Sequence, residues 1–162
     1  MKEPMTKELT LTRVFDAPRE LVFRAWTDPE LLAQWWGPNG VTNPVSEVEA
    51  RVGGAMHIVM LAGAELGPLA GQRWPMQGVI QEIVEPEKFV FTNQAVDEDG
   101  NVLIDGITTV LLEEVENGKT KLTLSVTAKA VSEQAPQMLE GMQVGWAQSI
   151  DKLTEYVTSH KM

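Results

Sequence analysis

Residue types that do chemistry are scarce in this chain. It contains two histidines, His57 and His160, and no cysteine, so a catalytic zinc with its three protein ligands would need a carboxylate-rich site. The sequence has no Gly-x-Ser-x-Gly elbow, no Gly-x-x-x-x-Gly-Lys phosphate loop and no dinucleotide-binding fingerprint. We therefore predict no catalytic residue, no metal site and no cofactor. A carboxylate inside the fold, acting as a general base, is the alternative.

Polar residues that could orient a ligand occur on several predicted strands. Because side chains alternate along a strand, about half of them are expected to face solvent. The candidates are His57, Gln77, Gln81, Asn93, Gln94 and Thr109.

The acidic segment from Asp97 to Asn101 has the composition of a calcium loop but not its spacing. Its glycine, Gly100, comes at the fourth position, whereas a calcium loop requires glycine at the sixth. We interpret this segment as a hairpin turn.

Methionines and aromatic residues recur at spacings that bring their side chains together. Flexible thioethers beside indole rings suit a cavity that adapts to apolar or aromatic molecules, although methionine can also simply fill an irregular core. We predict a ligand-binding set of nine residues: Trp36, Met56, Met60, Trp74, Met76, Phe91, Met138, Met142 and Trp146. The glycine-rich loop between Gly63 and Gln72 is a candidate lid.

The elements that must position these residues follow from hydrophobic periodicity and turn signals. We predict a first strand over 8–15, a short helix after Pro18, and a second helix that is capped by Asp28 and stopped by Gly37-Pro38. The tight Asn117-Gly118 turn should join two antiparallel strands. Six further strands are predicted over 46–52, 55–62, 73–84, 88–95, 105–115 and 119–130.

A long amphipathic helix is predicted over 134–158. Its apolar stripe is formed by Leu139, Met142, Trp146, Ile150, Leu153 and Val157. Gly141 and Gly145 lie one turn apart within it. Since glycine destabilises a helix interior, we expect a strand or a ligand to approach closely there.

Four ordered blocks of the sequence resemble a known family. They are the stretch from Arg13 to Gly40, with its Trp-Trp-Gly-Pro motif, then Glu47 to Gly54, Gly78 to Thr92 and Gly145 to Leu153. Together they look like START-like (SRPBCC, helix-grip) proteins related to the C-terminal domain of the activator of heat-shock protein 90 ATPase. The resemblance covers nearly the whole chain.

The resemblance implies an α+β helix-grip fold of the START-like or Bet v type. In that fold a curved antiparallel sheet of about seven strands, with two short helices, wraps one long C-terminal helix. We expect residues 1–162 to form a single domain. The leading functional hypothesis is binding of a small apolar or aromatic molecule in an internal cavity. A cyclase- or hydrolase-type enzyme and a co-chaperone-like interaction protein are the alternatives, because this fold supports many functions.

Charge and composition restrict the partners. The formal net charge of -10 repels nucleic acid and anionic lipid, so we expect neither as a partner. The absence of cysteine, of a long apolar run and of a secretory signal pattern leads us to expect a cytoplasmic protein. A homodimer is compatible with the sequence.

Overall fold

Seven antiparallel strands form one sheet in the computed structural model, which describes residues 6–97, 99–131 and 142–160. The strand order is β1-β7-β6-β5-β4-β3-β2, so the first two strands of the chain form the two edges. The strands are β1 (Thr6–Phe15), β2 (Val41–Val48), β3 (Ala55–Ala62), β4 (Arg73–Val84), β5 (Lys88–Val96), β6 (Val102–Val115) and β7 (Lys119–Ala130).

One face of the sheet, the inner face, is buried. In β7 every second residue from Thr120 to Ala130 is buried, while the residues between them remain partly or fully exposed. Val126 lies opposite Leu9 of β1 and Thr108 of β6, and residues that are directly opposed share a face. The strand register therefore identifies which residues of each strand lie on the inner face.

In the described part of the chain, three α-helices cover the inner face and complete the core: α1 (Arg19–Thr27), α2 (Pro29–Leu32) and α3 (Met142–His160). Asp28 caps α2 as predicted, because its carboxylate accepts hydrogen bonds from the backbone N–H groups of Glu30 and Leu31. The helix ends at Leu32, earlier than predicted. Tight turns, in which backbone N–H groups donate to Leu31 and Leu32, lead from there to Trp36.

Although β1 begins two residues earlier than predicted, at Thr6, and β6 three residues earlier, at Val102, the predicted strands are confirmed except at the edge strand β2. The sequence predicted this strand over 46–52, whereas it runs over Val41–Val48 and includes Pro44. Proline lacks the N–H needed inside a sheet, but an edge strand with a bulge tolerates it. The register with β3 shifts between Thr42 and Val45, which places Pro44 in such a bulge.

The Asn117-Gly118 turn joins antiparallel strands as expected. Both residues have positive φ, 63° and 73°. The pairing of Val115 with Lys119 leaves three residues in the loop rather than the two of the predicted tight turn.

The apolar stripe of the long helix is confirmed over the described residues. Ile150, Leu153 and Val157 are fully buried, and Met142 and Trp146 are half-buried against the same core. The predicted beginning of the helix, with Leu139 and Gly141, lies outside the described residues. None of the helices in the described part of the chain has the length and hydropathy needed to cross a membrane.

Candidate functional site

A cluster of contacting aromatic rings fills the space between the helices and the inner face. We call it the aromatic cluster: Phe23, Trp26, Trp35, Trp36, Phe89, Phe91 and Trp146. Trp26 and Trp35 meet edge to face, with ring centroids 4.6 Å apart. Of the seven rings, all but that of Trp146 are buried. The cluster is therefore apolar and shielded from solvent except on the side of Trp146.

Two tryptophans of the cluster were absent from the predicted ligand-binding set. Trp26 lies on the buried side of α1, where helical spacing predicted an apolar residue, and Trp35 follows α2. Nε1 of Trp35 donates to the carbonyl oxygen of Ala25 at 3.0 Å, which satisfies one of the carbonyl groups at the end of α1. The spacing within α1 indicated that Trp26 is buried, but not which rings it contacts.

Asn43 of β2 fixes the position of Trp36. Its Nδ2 donates to the carbonyl oxygens of Ala33 and Trp36 at 3.0 and 2.9 Å. Nearby, the hydroxyl of Ser46 donates to the carbonyl oxygen of Pro29 at 2.7 Å. Polar side chains of the edge strand thus donate hydrogen bonds to backbone carbonyl oxygens of α2 and of the turns that follow it.

Three residues of the predicted ligand-binding set meet within the aromatic cluster. The rings of Trp36 and Trp146 have centroids 5.3 Å apart, and those of Trp36 and Phe91 are 6.3 Å apart. These residues come from the segment after α2, from β5 and from α3. The sheet and α3 therefore bring these three rings together.

The strand methionines share the inner face, as their spacing predicted. Met60 pairs with Trp74, and Ile58 pairs with Met76. Met56 and Met76 are buried, whereas Met60 is half-buried against the core. Trp74 makes no ring contact with the aromatic cluster among the described residues, and its Nε1 donates to Gln72 Oε1 at 3.2 Å.

The first turn of α3 forms the partly open side of the cluster. Met142 and Trp146 are half-buried and pack against the core, while Met138 lies outside the described residues. The expected close approach of a strand to Gly145 is wrong. A Cβ atom at Gly145 would have no described residue within 4 Å, so the described part of the chain leaves space open beside this turn.

One of the polar strand candidates faces the interior. Asn93 shares the inner face with Phe91, and its Oδ1 accepts a hydrogen bond from the fully buried Thr108 hydroxyl at 2.8 Å. The predicted candidate Thr109 is adjacent to Thr108 and therefore points to the opposite face. Thr108 was missed because strand alternation alone does not show which of two neighbouring threonines is buried.

Most of the other polar candidates lie on the outer face of the sheet. His57, Gln77 and Gln94 border an open hollow of about 540 Å³ there, together with Asp105. Gln77 Nε2 donates to Gln94 Oε1 at 3.1 Å, and Gln94 Nε2 donates to Asp105 Oδ1 at 3.3 Å. These residues form a surface network on the side of the sheet away from the aromatic cluster.

The loop after Trp36 is fastened to α3. The N–H of Asn39 donates to Gln148 Oε1 at 2.9 Å, and Lys152 Nζ donates to the carbonyl oxygen of Pro38 at 3.2 Å. Burial lowers the pKa of the Lys152 ammonium from its ordinary value, because the charged form loses solvation. This loop therefore couples the position of Trp36 to that of the helix.

The candidate lid loop also contacts the loop after Trp36. The N–H of Gly63 donates to the carbonyl oxygen of Gly40 at 2.8 Å. The side chain of Leu66 lies beside Gly40, where a Cβ atom would come within 3.1 Å of it. The loop after Trp36 thus contacts α3 on one side and the candidate lid loop on the other.

An antiparallel sheet of seven strands, covered by two short helices and one long C-terminal helix over an aromatic core, defines an α+β protein of the helix-grip, START-like class. The family model for Activator of Hsp90 ATPase homolog 1-like proteins (AHSA1) matches residues 16–158, and the chain belongs to this family. The fold class and family expected from the four sequence blocks are confirmed. No curated protein matches the chain significantly.

Solved structures of bacterial proteins share the fold over nearly the whole chain. A protein from Chromobacterium violaceum is 34% identical, with a TM-score of 0.75, over 93% of this chain and 96% of that chain. The AHSA1 protein from Silicibacter pomeroyi is 25% identical, with a TM-score of 0.76, over 94% and 98%. A protein from Arthrobacter aurescens is also 25% identical, with a TM-score of 0.77, over 94% and 86%.

Proposed function

We propose that this protein binds a small apolar or aromatic molecule against the aromatic cluster, between the inner face of the sheet and the first turns of α3. The observation that carries the proposal is the position of Trp146. This half-buried ring contacts the buried rings of Trp26 and Trp36, so a molecule that replaces or flanks it reaches the centre of the cluster.

The chemistry around Trp146 supports an apolar ligand. Met60 and Met142 are half-buried beside the same core, and both have flexible side chains that adapt to irregular shapes. Ligand sites are concave and mostly apolar, with a few polar groups that orient the bound molecule. The Asn93–Thr108 pair, on the inner face next to Phe91, supplies such a group.

A fluorescence titration with the neutral apolar dye N-phenyl-1-naphthylamine tests the proposal. We expect saturable binding with a blue-shifted emission, and quenching of the tryptophan fluorescence at the same dye concentrations. A dye signal that rises without saturation, and without tryptophan quenching, would contradict binding at the cluster.

Two matched variants locate the binding site. Met60→Gln places a polar amide of similar length at the half-buried position and should weaken dye binding several-fold. Val79→Gln makes the same kind of change at an exposed apolar residue of the sheet and should leave binding unchanged. Equal effects of the two variants would show that the dye binds elsewhere.

A further inference from the structure

Within the described part of the chain, the indole N–H of Trp26 has no hydrogen-bond acceptor. The side chain is fully buried, and Nε1 makes no hydrogen bond among the described residues. In the same cluster, Nε1 of Trp35 is equally buried and donates to the carbonyl oxygen of Ala25. Buried polar groups are nearly always paired, so an unpaired one requires a specific explanation.

The aromatic rings that contact Trp26 supply no acceptor. The rings in contact with it are those of Trp35, Trp36, Phe91 and Trp146. Phenylalanine has no polar atom, and the indole nitrogen is a donor only. A buried water molecule is a poor substitute, since these rings offer it indole N–H donors and no acceptor for its own hydrogens.

We infer that Nε1 of Trp26 is the polar anchor for the ligand, and that the ligand is an aromatic molecule carrying a hydrogen-bond acceptor such as a carbonyl oxygen, an ether oxygen or a ring nitrogen. The inference rests on the proposed function and specifies the class of ligand. A site with a buried donor selects strongly for molecules that satisfy it, because an analogue without the acceptor leaves the donor unpaired.

Trp146 is the group that gives the ligand access to this donor. Its ring stacks on that of Trp26, with centroids 6.1 Å apart and planes 24° apart. It is also half-buried, and no described residue fills the space beside the neighbouring Gly145. A ligand that displaces Trp146 gains access to this donor, and it satisfies the indole N–H by placing its acceptor near the plane of the Trp26 ring rather than over the ring face.

The test compares two probes that differ by one acceptor, 2-acetonaphthone and 2-ethylnaphthalene. The wild-type protein should bind the ketone about tenfold more tightly, the factor expected for one hydrogen bond to a buried donor. Trp26→Phe removes the N–H and should abolish this preference while the hydrocarbon still binds. Trp35→Phe removes the paired indole of the same cluster and should retain the preference.

The outcomes separate the inference from the proposed function. If both probes bind the wild-type protein equally, or if Trp26→Phe keeps the preference, Trp26 is not the anchor, and its N–H instead rests against an aromatic face. The proposed function survives either result. If neither probe binds, the proposed function fails together with the inference. Should Trp26→Phe not fold, 3-benzothienylalanine at position 26, in which sulfur replaces the N–H, provides the same comparison.

Discussion

The indole rings of Trp26 and Trp146 stack with their centroids 6.1 Å apart and their planes 24° apart. One ring belongs to α1 and is fully buried, and the other belongs to α3 and is half-buried. This contact joins the first helix of the chain to the C-terminal helix at the place where the core is partly open.

Truncation of Trp146 should destabilise the protein less than truncation of a fully buried tryptophan. We expect Trp146→Ala to lower the free energy of unfolding by about 1–3 kcal/mol, because its ring loses only part of its contact with water on folding. Trp35→Ala should cost about 3–5 kcal/mol or more, since it leaves a cavity and an unpaired Ala25 carbonyl. Urea unfolding measures both values. Equal losses would show that Trp146 is as much a core residue as Trp35.

Removal of the Asn43 amide should loosen the segment that carries Trp36. Asn43→Ala loses the hydrogen bonds to the carbonyl oxygens of Ala33 and Trp36 and should cost about 1–3 kcal/mol. Asn43→Asp should cost more than Asn43→Ala near neutral pH, since it turns a negative charge toward two carbonyl oxygens. Thermal unfolding of the two variants provides the ranking. The reverse ranking would indicate that Nδ2 does not hold this backbone.

Replacement of Gly145 by alanine should stabilise the protein. A Cβ atom there meets nothing within 4 Å, and alanine favours a helix interior over glycine by about 1 kcal/mol. Gly78→Ala is the matched control on the inner face, where a Cβ atom would overlap the carbonyl oxygen of Thr92. The control should unfold at a clearly lower urea concentration than the wild type. A destabilised Gly145→Ala protein would show that this side of α3 is occupied.

The turn at Asp97 should make stability depend on pH in the acid range. The backbone N–H and the side-chain amide of Asn101 lower the pKa of the Asp97 carboxyl below its ordinary value. For a pKa that is lower in the folded state, the stabilisation is present above the unfolded pKa of about 3.9 and is lost as the pH falls through the folded pKa.

Asp97→Asn tests this dependence. The variant should have a lower melting temperature than the wild type near neutral pH, and the difference should vanish in strong acid. Asp99→Asn removes the same charge from the same turn and is the control. A melting difference for Asp97→Asn that persists unchanged into strong acid would assign the effect to turn geometry rather than to the charge.

Local sequence predicted most of the elements, for identifiable physical reasons. Alternation of β-favouring residues marked the strands, Asp28-Pro29 marked the start of a helix, and Asn117-Gly118 marked a turn with positive φ. The exception, β2, contains Pro44, which argues against a strand in any position except an edge or a bulge. Whether a strand is an edge depends on which other strands pair with it.

The candidate site was only partly predictable. The predicted ligand-binding set included Trp36, Phe91 and Trp146, whose rings contact one another in pairs through Trp36. The spacing within α1 did not show that Trp26 lies against all three, and the strand pattern did not separate the buried Thr108 from Thr109.

The sequence by itself determined the order of the elements and the apolar character of the inner face and of α3, because periodicity and turn chemistry act over a few neighbouring residues. It indicated the family through the resemblance of four ordered blocks. Only the tertiary structure decided that the indole N–H of Trp35 is paired while that of Trp26 is not. Hydrogen bonding of a buried group depends on which atoms of distant segments pack against it. That information arises only when α1, β5 and α3 come together.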